Sequence, residues 1–141
     1  MILFLDTSSL VKLYVVEPGS EAVRRSVEDA TRIAASVLAY PEAHSAFARR
    51  HREGGLSRSG LRGARTSLER DWSRLVRVAV TEEIYRAAAA LAERHALRAL
   101  DSLQLASFLS LRRRLPPRGA TFSTFDRRLE RAALRARWPG R

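Results

Sequence analysis

Met1-Ile-Leu-Phe-Leu-Asp6-Thr-Ser-Ser9 opens the chain, and its reading decides the fold. An apolar run, Ile2 to Leu5, ends on a carboxylate, and small hydroxyl residues follow. Ile2–Leu5 reads as a short buried strand, with a helix starting directly after Asp6. In open α/β sheets, ligands bind just outside the carboxyl ends of the strands. Asp6 stands at such an end, so the next question is which residues join it there.

Outward from this stretch, Ser8 to Val16 is apolar around Lys12 and Tyr14 and predicts a first helix, stopped by Pro18-Gly19. Ser20 is the expected N-cap of a second helix that presents Val23, Val27 and Ala30 on one face. Thr31 to Ala35 reads as a second strand. Ser36 opens a third helix, and Pro41 inside it predicts a kink or a restart just before Glu42. Gly54-Gly55 ends that helix. Ser57 to Leu75 is a fourth helix and Val76 to Val80 a third strand. Thr81 caps a fifth helix, lined by Ile84, Ala88, Leu91 and His95. Leu100 to Arg114 is apolar on most sides, which is typical of a central helix. Ala120 to Ser123 is a fourth strand, and Thr124 precedes a last helix. Strands separated by helices predict an α/β fold with a parallel sheet covered on both faces. Residues 1–136 read as one domain, with Arg137-Trp-Pro-Gly-Arg141 as a loose tail.

Composition narrows the chemistry. A chain of 141 residues, 45% hydrophobic and 29% charged, suits one globular domain with a sizeable core. It shows neither a signal-like opening nor an apolar run of bilayer length, so the expectation is a soluble, cytoplasmic protein with no membrane partner. Cysteine is absent, which excludes disulfides, thiolate zinc sites and cysteine nucleophiles. The formal net charge is +11, and Lys12 is the sole lysine. Arginine's planar fork matches phosphates, and a strongly basic domain suggests a polyanionic partner. An Arg- and Ala-rich chain can also reflect genome base composition.

Acids are scarce, fifteen against twenty-six basic residues, and most fit solvated helix faces. Four do not. Asp6 follows a buried strand. Glu42 sits amid Tyr40, Ala43, Ala46 and Phe47. Asp101 opens the apolar sixth helix. Asp126 begins a helix directly after a strand. Taken singly, Asp6 reads equally as a helix cap, Asp101 and Asp126 as first-turn acids, and Glu42 as an exposed residue facing an arginine. Taken together they point elsewhere. Carboxylates gathered in one cleft repel, so one protonates or a cation binds. Oxygen ligands without His or Cys select magnesium or manganese. Two such ions roughly 4 Å apart activate a water and stabilise the leaving oxygen in phosphodiester hydrolysis.

The residues Asp6-Thr-Ser-Ser-Leu-Val-Lys-Leu-Tyr14, Glu42-Ala-His-Ser-Ala46, Leu100-Asp-Ser-Leu-Gln-Leu-Ala106 and Thr124-Phe-Asp-Arg-Arg-Leu129 together resemble the PIN-domain ribonucleases. The resemblance is closest to the VapC toxins of toxin–antitoxin pairs and covers essentially the whole chain. It implies a three-layer α/β/α sandwich with a parallel sheet of four or five strands. It implies Mg²⁺- or Mn²⁺-dependent cleavage of RNA, with Asp6, Asp101 and Asp126 at the metal and Glu42 as the fourth acid, often acting through water. Ser8 would orient Asp6, and Thr124 would fix the loop presenting Asp126. A homodimer and a small VapB-like antitoxin, seated in the acidic cleft, are implied as partners. Two departures are visible: Pro41 directly before Glu42, and a C-terminal Ala136-Arg-Trp-Pro-Gly140 that makes a poor fifth strand.

Arg127 and Arg128, beside Asp126, are the first candidates to touch RNA phosphates, and Arg49 and Arg50 the second. The positions of the three histidines do not suit ligation of a metal in this cleft. A phosphotransferase with an aspartyl nucleophile also places an aspartate after its first strand, but it needs a later lysine than Lys12. No Gly-Lys-Ser/Thr loop exists, which excludes a P-loop NTPase. The remaining rivals are a PIN nuclease of RNA maturation and a non-catalytic PIN-like RNA-binding module.

Overall fold

β1 (Ile2–Leu5) lies inside a four-stranded parallel sheet of order β3-β2-β1-β4. The computed structural model describes residues 1–140. The other strands are β2 (Arg32–Ser36), β3 (Val76–Val78) and β4 (Ala120–Ser123). The helices are α1 (Thr7–Val11), α2 (Ser20–Asp29), α3 (Ala39–Arg52), α4 (Arg58–Trp72), α5 (Glu82–His95), α6 (Ala99–Arg112) and α7 (Arg127–Arg135).

The two-residue period of a strand explains the layers. Phe4 of β1 and Ala34 of β2 turn to one face, where Leu91 of α5, Leu105 and Leu109 of α6 and Leu129 of α7 pack on them. Leu3, Leu5 and Ala35 turn to the other face, against Leu10 and Val11 of α1, Val23 of α2, Phe47 of α3 and Leu68 of α4. Both faces are therefore apolar, as parallel sheets require. The result is the three-layer α/β/α sandwich that the sequence implied, with four strands among the described residues. Among those residues, no helix is long and apolar enough to cross a membrane.

Four local expectations are corrected. Ser36 is the last residue of β2 and does not open a helix. α3 begins only at Ala39, so Pro41 falls in its first turn, where no intrahelical donor is needed. The helix is not restarted before Glu42. The Glu42 N–H instead makes the early helical bond, to the Leu38 carbonyl at 3.2 Å.

At α2, Gly19 is the N-cap, with φ of +94°. Only glycine suits that conformation readily, and a Cβ there would also collide with the Phe125 ring. Ser20 staples the preceding turn, accepting from Glu17 N (3.0 Å) and donating to the Val15 carbonyl (3.1 Å).

The tail is not loose where it leaves α7. Ala136 is fully buried, and its carbonyl accepts from Arg112 at 3.3 Å. Trp138 packs on the α5–α7 core with the Arg113 guanidinium 4.2 Å from its ring. Arg141, the end of the expected tail, lies outside the described residues.

Candidate active site

The parallel sheet brings the carboxyl ends of β1 and β4 to one side, next to the N-terminal turns of α3 and α6. A cleft of about 610 Å³ opens there, and Asp6, Glu42, Asp101 and Asp126 all line it. Four distant parts of the chain supply these acids.

Asp6 is the deepest, at 4% exposure. Its Oδ1 accepts from Ser8 Oγ (2.7 Å) and Ser9 N (2.9 Å), and its Oδ2 from Thr124 Oγ1 (2.6 Å). The Ser9 contact makes Asp6 the N-cap of α1, so the capping role coexists with a place in the cleft. Thr124 also accepts from Asp126 N at 3.0 Å, and Ser8 accepts from Phe125 N at 2.9 Å. Two hydroxyls therefore tie the first acid to the loop that carries the last one.

Burial pushes the Asp6 carboxyl above the ordinary aspartate range, and the bonds from Thr124, Ser8 and Ser9 pull it part of the way back. The sign of the linkage follows. A carboxyl with a raised folded-state pKa contributes stability that is complete below its unfolded pKa and lost as pH rises through the folded value. Asp6→Asn carries no charge to bury, so in EDTA its Tm should exceed that of the unaltered chain at neutral pH. The gap should close as pH falls from the raised folded-state value to the ordinary aspartate value. Thermal melts across pH check this, and a gap independent of pH would place the burial cost elsewhere.

Glu42 is half-buried in the first turn of α3. Its Oε1 accepts from Thr7 Oγ1 (3.0 Å) and Gln104 Nε2 (2.9 Å), and Gln104 Nε2 also donates to Thr7 Oγ1 at 3.0 Å. Sequence reasoning missed Gln104, although a signal existed: an amide inside an apolar helix needs buried partners. Gln104 is 2% exposed, and its Oε1 is buried without a partner.

Asp101 and Asp126 lie nearer the rim, with side chains 21% and 32% exposed. Asp126 caps α7, its Oδ1 accepting from Arg128 N (2.8 Å) and Leu129 N (2.9 Å). Arg98, also missed, reaches both acids: its Nε donates to Asp101 Oδ2 at 2.9 Å, and its Nη2 lies 3.6 Å from Asp126 Oδ2. Its place three residues before Asp101 on a helix was the available clue.

The expected phosphate contacts divide. Arg49 and Arg50 line the cleft, whereas Arg127 lines a neighbouring hollow along β4. Arg50 is held by Glu17 through two bonds of 2.9 Å, and Glu17 also pairs with Lys12. Arg128 donates to the Ala96 carbonyl at 3.3 Å. The histidines stay out of the cleft: His44 stacks against Tyr40 and Phe47, His51 binds the Leu56 carbonyl, and His95 lies on α5.

The donors in the cleft are carboxylate oxygens, and such a set suits Mg²⁺ or Mn²⁺. Among the described residues, no three acidic or histidine side chains form a ready-made cage. Both Asp6 oxygens are engaged by hydroxyls and an amide, and Arg98 draws on Asp101 and Asp126. The fit is to an ion that keeps several waters and takes one or two carboxylates, as Mg²⁺ commonly does.

The PIN domain family model matches residues 3–134. Ribonuclease VapC45 of Mycobacterium tuberculosis strain CDC 1551 is 33% identical over 132 residues, spanning 94% of this chain and 89% of the relative. Ribonuclease VapC49 of strain H37Rv is similar to the same extent. Among solved structures, VapBC2 of Rickettsia felis bound to a promoter DNA fragment aligns with a TM-score of 0.65 at 17% identity, covering 93% of this chain and 92% of that one. A toxin–antitoxin complex of Klebsiella pneumoniae aligns with a TM-score of 0.59 at 18% identity, covering 79% and 80%.

Proposed function

The chain belongs to the PIN-domain family, and from that membership we propose that it is a Mg²⁺- or Mn²⁺-dependent endoribonuclease, the toxin of a toxin–antitoxin pair. The observation that carries this reading is the convergence of Asp6, Glu42, Asp101 and Asp126 on one cleft of a chain with net charge +11. An acidic pocket in a basic protein fits an ion at the centre and phosphates around it.

Asp6, Asp101 and Asp126 would hold the ion. When bound, the ion supplies Lewis-acid stabilisation of the phosphoryl oxygens and lowers the pKa of water. Ser8 and Thr124 orient Asp6 by occupying both of its oxygens. Thr7 and Gln104 hold Glu42 by Oε1, and its other oxygen is available to take a proton from the attacking water. In-line attack at phosphorus breaks the bond to O3′, leaving a 5′-phosphate and a 3′-hydroxyl. Arg49 and Arg50 steady the neighbouring phosphates, with Arg127 and Arg128 on a longer RNA path. The assembly would be a cytoplasmic homodimer of one PIN domain per chain, silenced by an antitoxin segment lying in the acidic cleft.

The direct test is incubation of structured RNA with the purified chain in Mg²⁺ and in EDTA. Fragments bearing 5′-phosphates should form in Mg²⁺ and be absent in EDTA. Cleavage that persists in EDTA would sink the metal mechanism. Growth arrest on expression, relieved by the product of an adjacent gene, is the expected sign of the toxin role.

A further inference from the structure

Arg98 stands where helix physics gives it no purpose. It is the N-cap of α6, a position that favours Ser, Thr, Asp or Asn, and it makes no capping bond there. A cation at a helix N-terminus also opposes the helix dipole. Its contacts instead join two acids from different elements, Asp101 of α6 at 2.9 Å and Asp126 ahead of α7 at 3.6 Å. Its side chain is 77% exposed, so solvent surrounds much of it and it has room to swing away. Ion pairs this exposed are weak, and a divalent ion can displace them.

We propose that Arg98 is an internal counter-ion that occupies Asp101 and Asp126 in the metal-free chain and competes with the divalent ion for them. The proposal rests on the metal-dependent reading above. It accounts for the lack of a ready-made cage: the guanidinium bridges the two rim acids and offsets one of their two charges, while Asp6 waits beneath them. The ion must displace Arg98, so half-filling of the acids needs a higher metal concentration than it would without the arginine. Released, Arg98 stays on the rim of the same cleft as Arg49, where a phosphate would meet it.

The test is Mn²⁺ titration of the EDTA-treated full chain by calorimetry, comparing the unaltered protein with Arg98→Ala, Arg98→Lys and Arg49→Ala. Circular dichroism verifies folding. Arg49 lines the cleft and has no carboxylate partner among the described residues, so its removal reports the general loss of one positive charge. Arg98→Ala should bind Mn²⁺ about three- to tenfold more tightly than the unaltered chain, the scale of one or two exposed ion pairs. Arg49→Ala should differ by less than about twofold, since a charge in solvent without a direct partner is screened. Arg98→Lys should fall between, because an ammonium is a point charge and lacks the planar fork. Equal affinities for Arg98→Ala and Arg49→Ala, with clear binding by the unaltered chain, would overturn the counter-ion role and leave the metal site standing. Absence of binding in every variant would remove the metal site itself, and the counter-ion role with it.

Discussion

Asp6→Asn is expected to lower RNA cleavage by at least about 10³-fold, a loss near 4 kcal/mol of transition-state stabilisation. The same variant should fold well, since the raised pKa of Asp6 marks a carboxylate whose ionised form is costly to bury. Asparagine is nearly isosteric, and its carbonyl can still accept from Ser8 and Ser9, while Thr124 can accept from its amide. A variant that keeps its cap and its packing but loses activity would separate the two roles of Asp6. Single-turnover cleavage in Mg²⁺, paired with thermal melts in EDTA, provides the measurement. Retention of activity within tenfold would move the reaction centre away from Asp6. Loss of activity with gain of stability would fit a general pattern in which functional groups are kept at the expense of stability.

Asp6 could be singled out from sequence because a buried strand delivers it to the ligand-binding edge of a parallel sheet and three further acids lack a solvated-face account; alone it reads equally as the cap of α1, which it also is. The same logic exposed Asp126, which follows β4 as Asp6 follows β1. The PIN-like α/β/α architecture and the family itself were legible from the four acidic motifs, and the family match over residues 3–134 bears this out. The placement of all four acids on one cleft depends on the sheet order β3-β2-β1-β4, which sequence periodicity does not specify. Pairing β1 directly with β4 sets Asp6 beside Ser123 and Thr124, with a bond from Asp6 N to the Ser123 carbonyl at 3.1 Å.

Pro41 misled for a different reason. Its effect depends on its distance from the helix start, and that start moved when β2 extended through Ser36. Two residues earlier or later, proline changes from a breaker into a tolerated first-turn residue. Trp138 was equally opaque: only the tertiary fold reveals Arg113 beneath its ring. Gln104 and Arg98 were overlooked because composition hid them. One is a lone amide in an apolar helix, and the other is one arginine in a chain crowded with them. Their partners lie on other elements, Glu42 on α3 and Asp126 ahead of α7, and no local pattern connects them.

Gln104→Leu is expected to reduce cleavage about 10- to 100-fold, the range for loss of a group that orients an active-site ligand. The chain should remain at least as stable. Leucine is a good helix former. It also removes the buried Oε1 that lacks a partner, and such an atom costs free energy to bury. The damage should fall on Glu42, which loses the Nε2 bond of 2.9 Å and keeps only Thr7 on Oε1, and on Thr7, which loses its own bond from Nε2 at 3.0 Å. Because Gln104 acts through Glu42, kcat should fall with KM little changed, and the acid limb of the pH–rate profile should shift with the altered surroundings of that carboxylate. Mn²⁺ affinity should change much less than cleavage, since Asp6, Asp101 and Asp126 keep all their contacts. Parallel loss of Mn²⁺ binding and cleavage would instead make Gln104 a support of the whole metal site. Cleavage at the unaltered rate would mean that the orientation of Glu42 does not limit the reaction, leaving the three aspartates to carry it.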